Sequence, residues 1–259
     1  MRFPLSAQIA QRFDWVESTG STNSDLIAGA TAEPSTYPDF SVLVTGEQTA
    51  GRGRSGRDWQ APAATSLFVS VLLRPGTVSA TQFAWLPLIA GLSMANAISQ
   101  FAGSKRATVK WPNDVLIGES KVCGVLSELL PDATAVVIGA GVNVFQIRDQ
   151  LPVDTATSLA LEDIAIESLD ALLAAYLKNL RSQLDEFIAL AGELGGTELH
   201  EQISNACSSI GREVRVVLPG DQQFIGRAEA IDSIGRLVVQ NDSETRSVSV
   251  GDVVHLRHN

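Results

Sequence analysis

No residue between Pro75 and Ser104 carries a charge, and a segment of that length must be hidden from water somewhere. A bilayer is one hiding place, since about 20 apolar residues suffice to span it. Pro87, Gly91, Ser93, Asn96, Ser99 and Gln100 interrupt the run, so a buried amphipathic helix is the expectation. Enclosing such a helix needs a sizeable core, and 259 residues of which 45% are apolar provide one. That length fits one large domain, or a medium domain plus a small one.

The flanking segments read as strands. "FSVLVTGEQ" and "TSLFVSVLLRP" are β-branched and aromatic and run into turn residues. After the uncharged helix, "ATVKWPNDVLIG" reads as a strand broken by Pro112, "KVCGVLSELL" as its hairpin partner across "GES", and "ATAVVIGAGVNV" as a third antiparallel strand. "GSTNSDLIAGA" reads as a helix capped by Ser21 or Thr22 that stops near Gly29. From Ser168, Leu169, Leu172, Leu173, Tyr176, Leu177, Leu180, Leu184, Phe187 and Ile188 recur at helical spacing, which predicts a long surface helix. The last fifty or so residues change to short alternating strands ("REVRVVLP", "QQFIGRAEAID", "GRLVVQ", "RSVSVGDVVHLR") joined by "PGDQ" and "DSIG", the pattern of a small β-barrel.

Nineteen basic against twenty-nine acidic residues give a formal charge of -10, which repels a nucleic-acid backbone unless the basic groups are segregated. Cys123 and Cys207 are the only cysteines, and Met1 to Trp15 lacks the apolar core of a signal peptide, so a reducing cytoplasm is the expected location. Cys123 has no CxxC partner, and His200, His255 and His258 lack metal-ligand spacing. Without a GxSxG elbow, the chemistry is left to positioning and charge.

Between the first two strands lies "GEQTAGRGRSGRDWQ", residues 46 to 60. It is neither a P-loop nor a dinucleotide fingerprint. Bare glycine amides and guanidinium forks suit a phosphate or carboxylate, although a solvated surface loop has the same composition. "KWPND", residues 110 to 114, is open to two readings as well, a plain turn or a polar cluster at a sheet end. Lys121, on the other arm of the same hairpin, reads as an edge lysine or as a site lysine.

"GSTNSDL", "GEQTAGRGRSGRDW", "KWPNDVLIGESKVCGVLSEL" and "VVIGAGVNV", in this order and spacing, closely resemble the biotin protein ligases, and the likeness extends over nearly the whole chain. The resemblance implies an α+β catalytic unit on a mixed sheet with helices on one face, residues 1–208, followed by a small SH3-like β-barrel, residues 209–259. It implies an ATP-dependent enzyme that converts biotin and ATP, with Mg²⁺, to biotinyl-5'-AMP. The biotinyl group then passes to a lysine on the biotin carboxyl carrier domain of acetyl-CoA carboxylase or a related acyl-CoA carboxylase. Carried over by motif, Ser21, Thr22, Asn23, Gln48, Gly51, Arg52, Gly53, Arg54, Lys121 and Gly124 fall to biotin. Arg54, Arg57, Trp59, Asn113, Lys121 and Asn143 fall to ATP and the adenylate, with Lys121 and Arg54 catalytic.

The metal ligands stay unassigned, Asp114 or Asn143 being guesses. About twenty residues precede "STN", too few for the DNA-binding domain of the two-headed members, so neither DNA nor membrane is an expected partner. Exposed strand edges allow a weak homodimer without demanding one. The competing readings are a lipoate–protein ligase, for which no RRxxGGG-like segment is present, and a module that binds biotin without ligating it.

Overall fold

The structure, a computed structural model, describes residues 3–218, 220, 222–249 and 251–256. Seven strands form the main sheet: β1 (Arg12–Val16), β2 (Ser41–Thr45), β3 (Ser66–Leu73), β4 (Ala107–Lys110), β5 (Asp114–Ile117), β6 (Ser120–Leu129) and β7 (Val136–Asn143). Their order is β1-β2-β3-β7-β6-β5-β4. β1 runs parallel to β2 and every other neighbouring pair is antiparallel, so the sheet is mixed. Five helices accompany it: α1 (Pro4–Ala7), α2 (Thr22–Ala32), α3 (Trp85–Ser99), α4 (Leu169–Ala189) and α5 (Glu198–Ala206).

A second, antiparallel sheet follows, with β8 (Glu213–Val217), β9 (Gln223–Ile231), β10 (Leu237–Gln240), β11 (Thr245–Val248) and β12 (Asp252–His255) in the order β11-β10-β9-β8-β12. This is the small β unit expected at the C-terminal end. Two residues of its "PGDQ" turn, Pro219 and Asp221, lie outside the described residues, as does His258.

The two faces of the main sheet have different tasks. On one face Val42, Val44, Val69, Val71, Ile138, Ala140 and Val142 pack into the large core with α3 and α4. The alternate residues Leu43, Leu72 and Val137 face the other way, against Leu26 and Ala30 of α2. The expectation of helices on one face is thus corrected: α2 covers one end of the opposite face. The reason is the period of two along a strand, which leaves leucine and valine on both faces of β2, β3 and β7.

α3 also differs from the amphipathic helix expected. Nearly all of it is buried, because the sheet closes one side and α4 and α5 close the rest. The hydroxyl of Ser93 is absorbed by Ile89 O and Gln183 Oε1, both 2.8 Å away, between which it shares its one proton. Among the described residues, no helix is long and apolar enough to cross a membrane.

α2 runs three residues beyond Gly29, since a glycine inside a helix costs only about 1 kcal/mol relative to alanine. Its start is as expected: Ser21 caps it, accepting from Ser24 N. β1, α2 and β2 form a parallel crossover, and bonds from Thr19 N to Glu47 O (3.1 Å) and from Ala50 N to Gly20 O (2.9 Å) lay "GSTN" alongside "GEQT". That register places the first turn of α2 against the open end of the sheet.

Candidate functional site

Beyond the part covered by α2, the exposed face of the sheet is floored by small residues. Gly124 on β6 and Gly139 and Gly141 on β7 point to the side where a Cβ would collide with Asn23 or Trp59. Over this floor a small cavity is lined by Ser21, Thr22, Asn23, Gln48 and Phe68. Thr22, Asn23 and Gln48 belong to one network, joined through Ser70. Thr22 donates to Gln48 Oε1 through its backbone N at 2.8 Å and its hydroxyl at 3.0 Å. Ser70 Oγ lies 2.7 Å from Thr22 Oγ1 and 2.6 Å from Asn23 Oδ1. No charged group belongs to it except at the rim, where Arg52 and Glu128 pair at 2.9 Å. Such a cavity suits a neutral ligand with both donors and acceptors.

The glycine-arginine loop roofs this cavity. Trp59 N donates to Gly51 O at 2.9 Å and Gly53 N to Arg57 O at 2.6 Å, so residues 51 to 59 close into a narrow hairpin. Its tip has left-handed backbone at Ser55 and Gly56, φ 56° and 72°. The Trp59 indole lies over the glycine floor, 2.6 Å from where a Cβ on Gly124 would stand. The tip is tied to the C-terminal unit: Arg54 donates to Asn113 Oδ1 at 2.9 Å and to Gly251 O at 3.1 Å, while Arg57 donates to Asp252 at 2.9 Å. Burial pulls the Arg54 guanidinium pKa below its usual value, against the nearby Asp252 and Asp114.

Beside the small cavity opens a larger one of about 590 Å³, lined by Arg54, Arg57, Lys110, Asn113, Lys121 and Asp252 among others. "KWPND" is its wall. Trp111 is buried and donates from Nε1 to Gly235 O at 3.1 Å, and Asn113 donates from Nδ2 to Val125 O at 2.6 Å. Lys121 Nζ meets Asp114 Oδ1 at 2.6 Å and lies 5.2 Å from the Trp59 ring centroid. Gly124 lines both cavities, and a Cβ there would stand 3.0 Å from Lys121 Nζ. Burial lowers the Lys110 pKa, with Lys121 adding to the shift and Asp114 opposing it. A cleft with this many cations fits a polyanion.

Of the residues expected at the site, those assigned to biotin other than Arg54, Lys121, Gly51 and Gly53 line the small cavity, and Arg57, Trp59, Asn113, Asn143, Arg54, Gly53 and Lys121 line the large one. Gly51 shapes the root of the loop, where a Cβ would strike Trp59 O. Asn143 is committed on both sides, donating to Thr157 O at 2.9 Å and accepting from Gln146 Nε2 at 3.1 Å. Cys123 is buried, with its thiol pKa pushed up to about 12 by burial, and is inert as a nucleophile. His200 is held by Ile231 O and Gly196 N, away from both cavities.

The match to known proteins follows the same division. Residues 15–143 match the biotin/lipoate A/B protein ligase family and residues 209–256 the biotin protein ligase C terminal domain. A biotin–[acetyl-CoA-carboxylase] ligase of Mycobacterium tuberculosis is 36% identical over 249 residues, 95% of this chain and 90% of that protein. The chain belongs to the biotin protein ligase family. Another relative, the bifunctional ligase/repressor BirA of Escherichia coli, is 30% identical over 80% of this chain and 63% of its own. Among solved structures, the biotin protein ligase of Aquifex aeolicus in complex with biotin and ATP superposes with a TM-score of 0.78 at 26% identity, over 96% of this chain and 100% of that one.

Three participants in the paired cavities were not marked by the sequence. Ser70 is one of two serines in the apolar strand "SLFVSVLL", and only its contacts with Thr22 and Asn23 distinguish it. Glu128 and Asp252 act through arginines 76 and 195 residues away in sequence. Asp114, which the sequence offers only for a metal, also pairs with Lys121.

Proposed function

We propose that this chain is an ATP-dependent biotin–[biotin carboxyl carrier protein] ligase. Biotin lies with its ureido ring in the small cavity and its carboxylate toward Lys121, and ATP occupies the large cleft. A biotin carboxylate oxygen attacks the α-phosphorus, the bond to the β-phosphate oxygen breaks, and pyrophosphate leaves. The amine of the carrier's lysine then attacks the acyl carbon of biotinyl-5'-AMP, AMP departs with the bonding electrons, and the amine loses its proton. The acceptor is the carrier domain of acetyl-CoA carboxylase or a related acyl-CoA carboxylase.

The observation that carries this reading is the position of Lys121, beside the glycine that both cavities share. A carboxylate and a phosphate repel, and they reach attack distance only where fixed cations neutralise both. Lys121 does this at the reacting atoms, with Arg54 and Arg57 around the phosphates and Arg52 over the biotin tail. Trp59 and the glycine floor exclude water from the mixed anhydride, which would otherwise hydrolyse. Asn113 orients Arg54, and Asn143 stiffens the wall beside the nucleotide.

Mg²⁺ enters with ATP. Among the described residues no group of three or more histidine, cysteine, aspartate or glutamate side chains could hold a metal, which suits a cation that keeps its waters and is held mainly by phosphates. Asp114, bordering the cleft, is a carboxylate that could reach it. Residues 1–208 carry the small cavity and most of the large one in this scheme, and residues 209–259 add Asp252 to the large one and carry the clasp on the arginine loop.

The test is to incubate the protein with ATP, Mg²⁺, a carrier domain and either biotin or lipoate, and to follow the carrier's mass. Gain of one biotinyl group with biotin alone is expected. Gain with lipoate but not biotin, or none with either, overturns the proposal.

A further inference from the structure

Glu128 stands on β6 at the rim of the small cavity and gathers two groups that are remote in sequence. Its Oε2 accepts from Asn23 Nδ2 at 2.8 Å and from Arg52 Nη2 at 2.9 Å. Asn23 Nδ2 has a second acceptor in Leu126 O at 3.1 Å, and Asn23 Oδ1 faces the Ser70 hydroxyl at 2.6 Å. An asparagine amide has two nearly isosteric orientations, distinguished only by where donors and acceptors stand. Here the choice is forced. Turning the amide over would set its oxygen against a carboxylate and a carbonyl with no proton between them, a costly arrangement in a side chain only 4% exposed.

We propose that Glu128 is a positioning residue that sets the specificity of this cavity. It holds Asn23 Oδ1 over Gly139 as a hydrogen-bond acceptor and ties the root of the arginine loop to the same carboxylate. The inference rests on the reading above, in which the cavity takes a ureido ring whose N–H groups need acceptors. A reversed Asn23 would offer N–H to N–H, and a loop freed from Glu128 would no longer sit against the ring that Asn23 holds. One carboxylate therefore couples the polarity of the cavity to the seating of its roof.

The experiment is biotin-dependent exchange of labelled pyrophosphate into ATP, which reads the first half-reaction without the carrier. Glu128→Ala should raise the biotin KM about tenfold, the scale of one lost charge-assisted hydrogen bond, with a smaller change in kcat. Glu128→Gln keeps an acceptor for Asn23 and should raise the KM by less than about threefold. Asn23→Asp sets a carboxylate against Glu128 and should raise the KM strongly. Adding Glu128→Gln to it supplies a donor and should lower the KM again, a gain that a misfolded variant cannot produce. Equal KM increases for Glu128→Ala and Glu128→Gln, or a double variant no better than Asn23→Asp, overturn this inference alone. No biotin-dependent exchange by the unaltered chain overturns the proposed function, and this inference with it.

Discussion

Lys121 Nζ is held 2.6 Å from Asp114 Oδ1, a pairing across neighbouring strands that keeps the ammonium on the cleft side of β6. The lysine is only partly exposed, so its charge meets an incoming anion with less water between them than a surface lysine would.

Removing that charge should harm the chemical step more than binding, because the negative charge between carboxylate and phosphate is greatest at the pentavalent phosphorus. Lys121→Ala is expected to lower kcat for pyrophosphate exchange by about 100-fold or more, as for loss of a preorganised electrostatic partner. Biotin affinity by calorimetry should fall less than about tenfold. Equal losses in both would make Lys121 a binding residue only.

The loop tip gives a second expectation. Arg54 is anchored to Asn113 and Gly251, and Arg57 to Asp252, so the arginine loop is latched at its far end. Arg54→Gly removes two hydrogen bonds of the latch and should release biotinyl-5'-AMP early, seen as biotin on lysines of bystander proteins. Asp252→Asn weakens only the ionic part, partly exposed and worth about 1 kcal/mol or less, and should release the intermediate more slowly than Arg54→Gly. Unchanged carrier selectivity in Arg54→Gly would refute the roof role.

A third concerns the floor. A Cβ on Gly139 would collide with Asn23 Oδ1, whereas Gly139 makes no contact with the large cleft. Gly139→Ala should therefore lower biotin affinity at least tenfold, by displacing the acceptor that Glu128 holds, and leave ATP affinity within about twofold. Isothermal titration with each ligand separates the two. A parallel loss of both would mean that the floor is a folding requirement rather than part of one cavity.

How much of this could be read in the sequence depends on how local the cause is. The strands, the Ser21 cap and the long helix from Ser168 follow from period, capping and turn chemistry, all contained within a few residues. α3 was legible as buried but not as enclosed on every side, because α4, α5 and the C-terminal unit close over it from about 70 residues away or more. β1, "RFDWV", alternates polar and apolar residues over its first four positions, but it is only five residues long and all five are half-buried, so the pattern is too short to stand out. At the site, the glycines and arginines announced an anion, yet the carboxylates that hold them did not. Nothing near Glu128 or Asp252 in sequence distinguishes either from a solvated charge, and their partners are chosen by strand register alone.

The C-terminal unit supplies a pH expectation. His255 on β12 lies 3.0 Å from Ser209 Oγ, and Ser209 Oγ accepts from Trp111 N at 3.2 Å, so this imidazole abuts the strand end that carries "KWPND". Its pKa is lowered from 6.5 to about 4, by burial first and then by Lys110 and Arg212. An unfolded chain takes up this proton near pH 6.5, whereas the folded one resists it until about pH 4. The unfolded state therefore binds more protons between those values, and stability falls as pH drops through that window. The neutral imidazole's full contribution is present above pH 6.5 and is lost on approach to pH 4. Carboxylates titrate near the lower end, so the discriminating measurement is Tm against pH for the protein and for His255→Gln, which cannot take up the proton. The variant should show a flatter decline between pH 6.5 and pH 5, with the two curves running parallel above pH 7. Curves of equal slope through the window would mean that His255 titrates alike in the folded and unfolded chains.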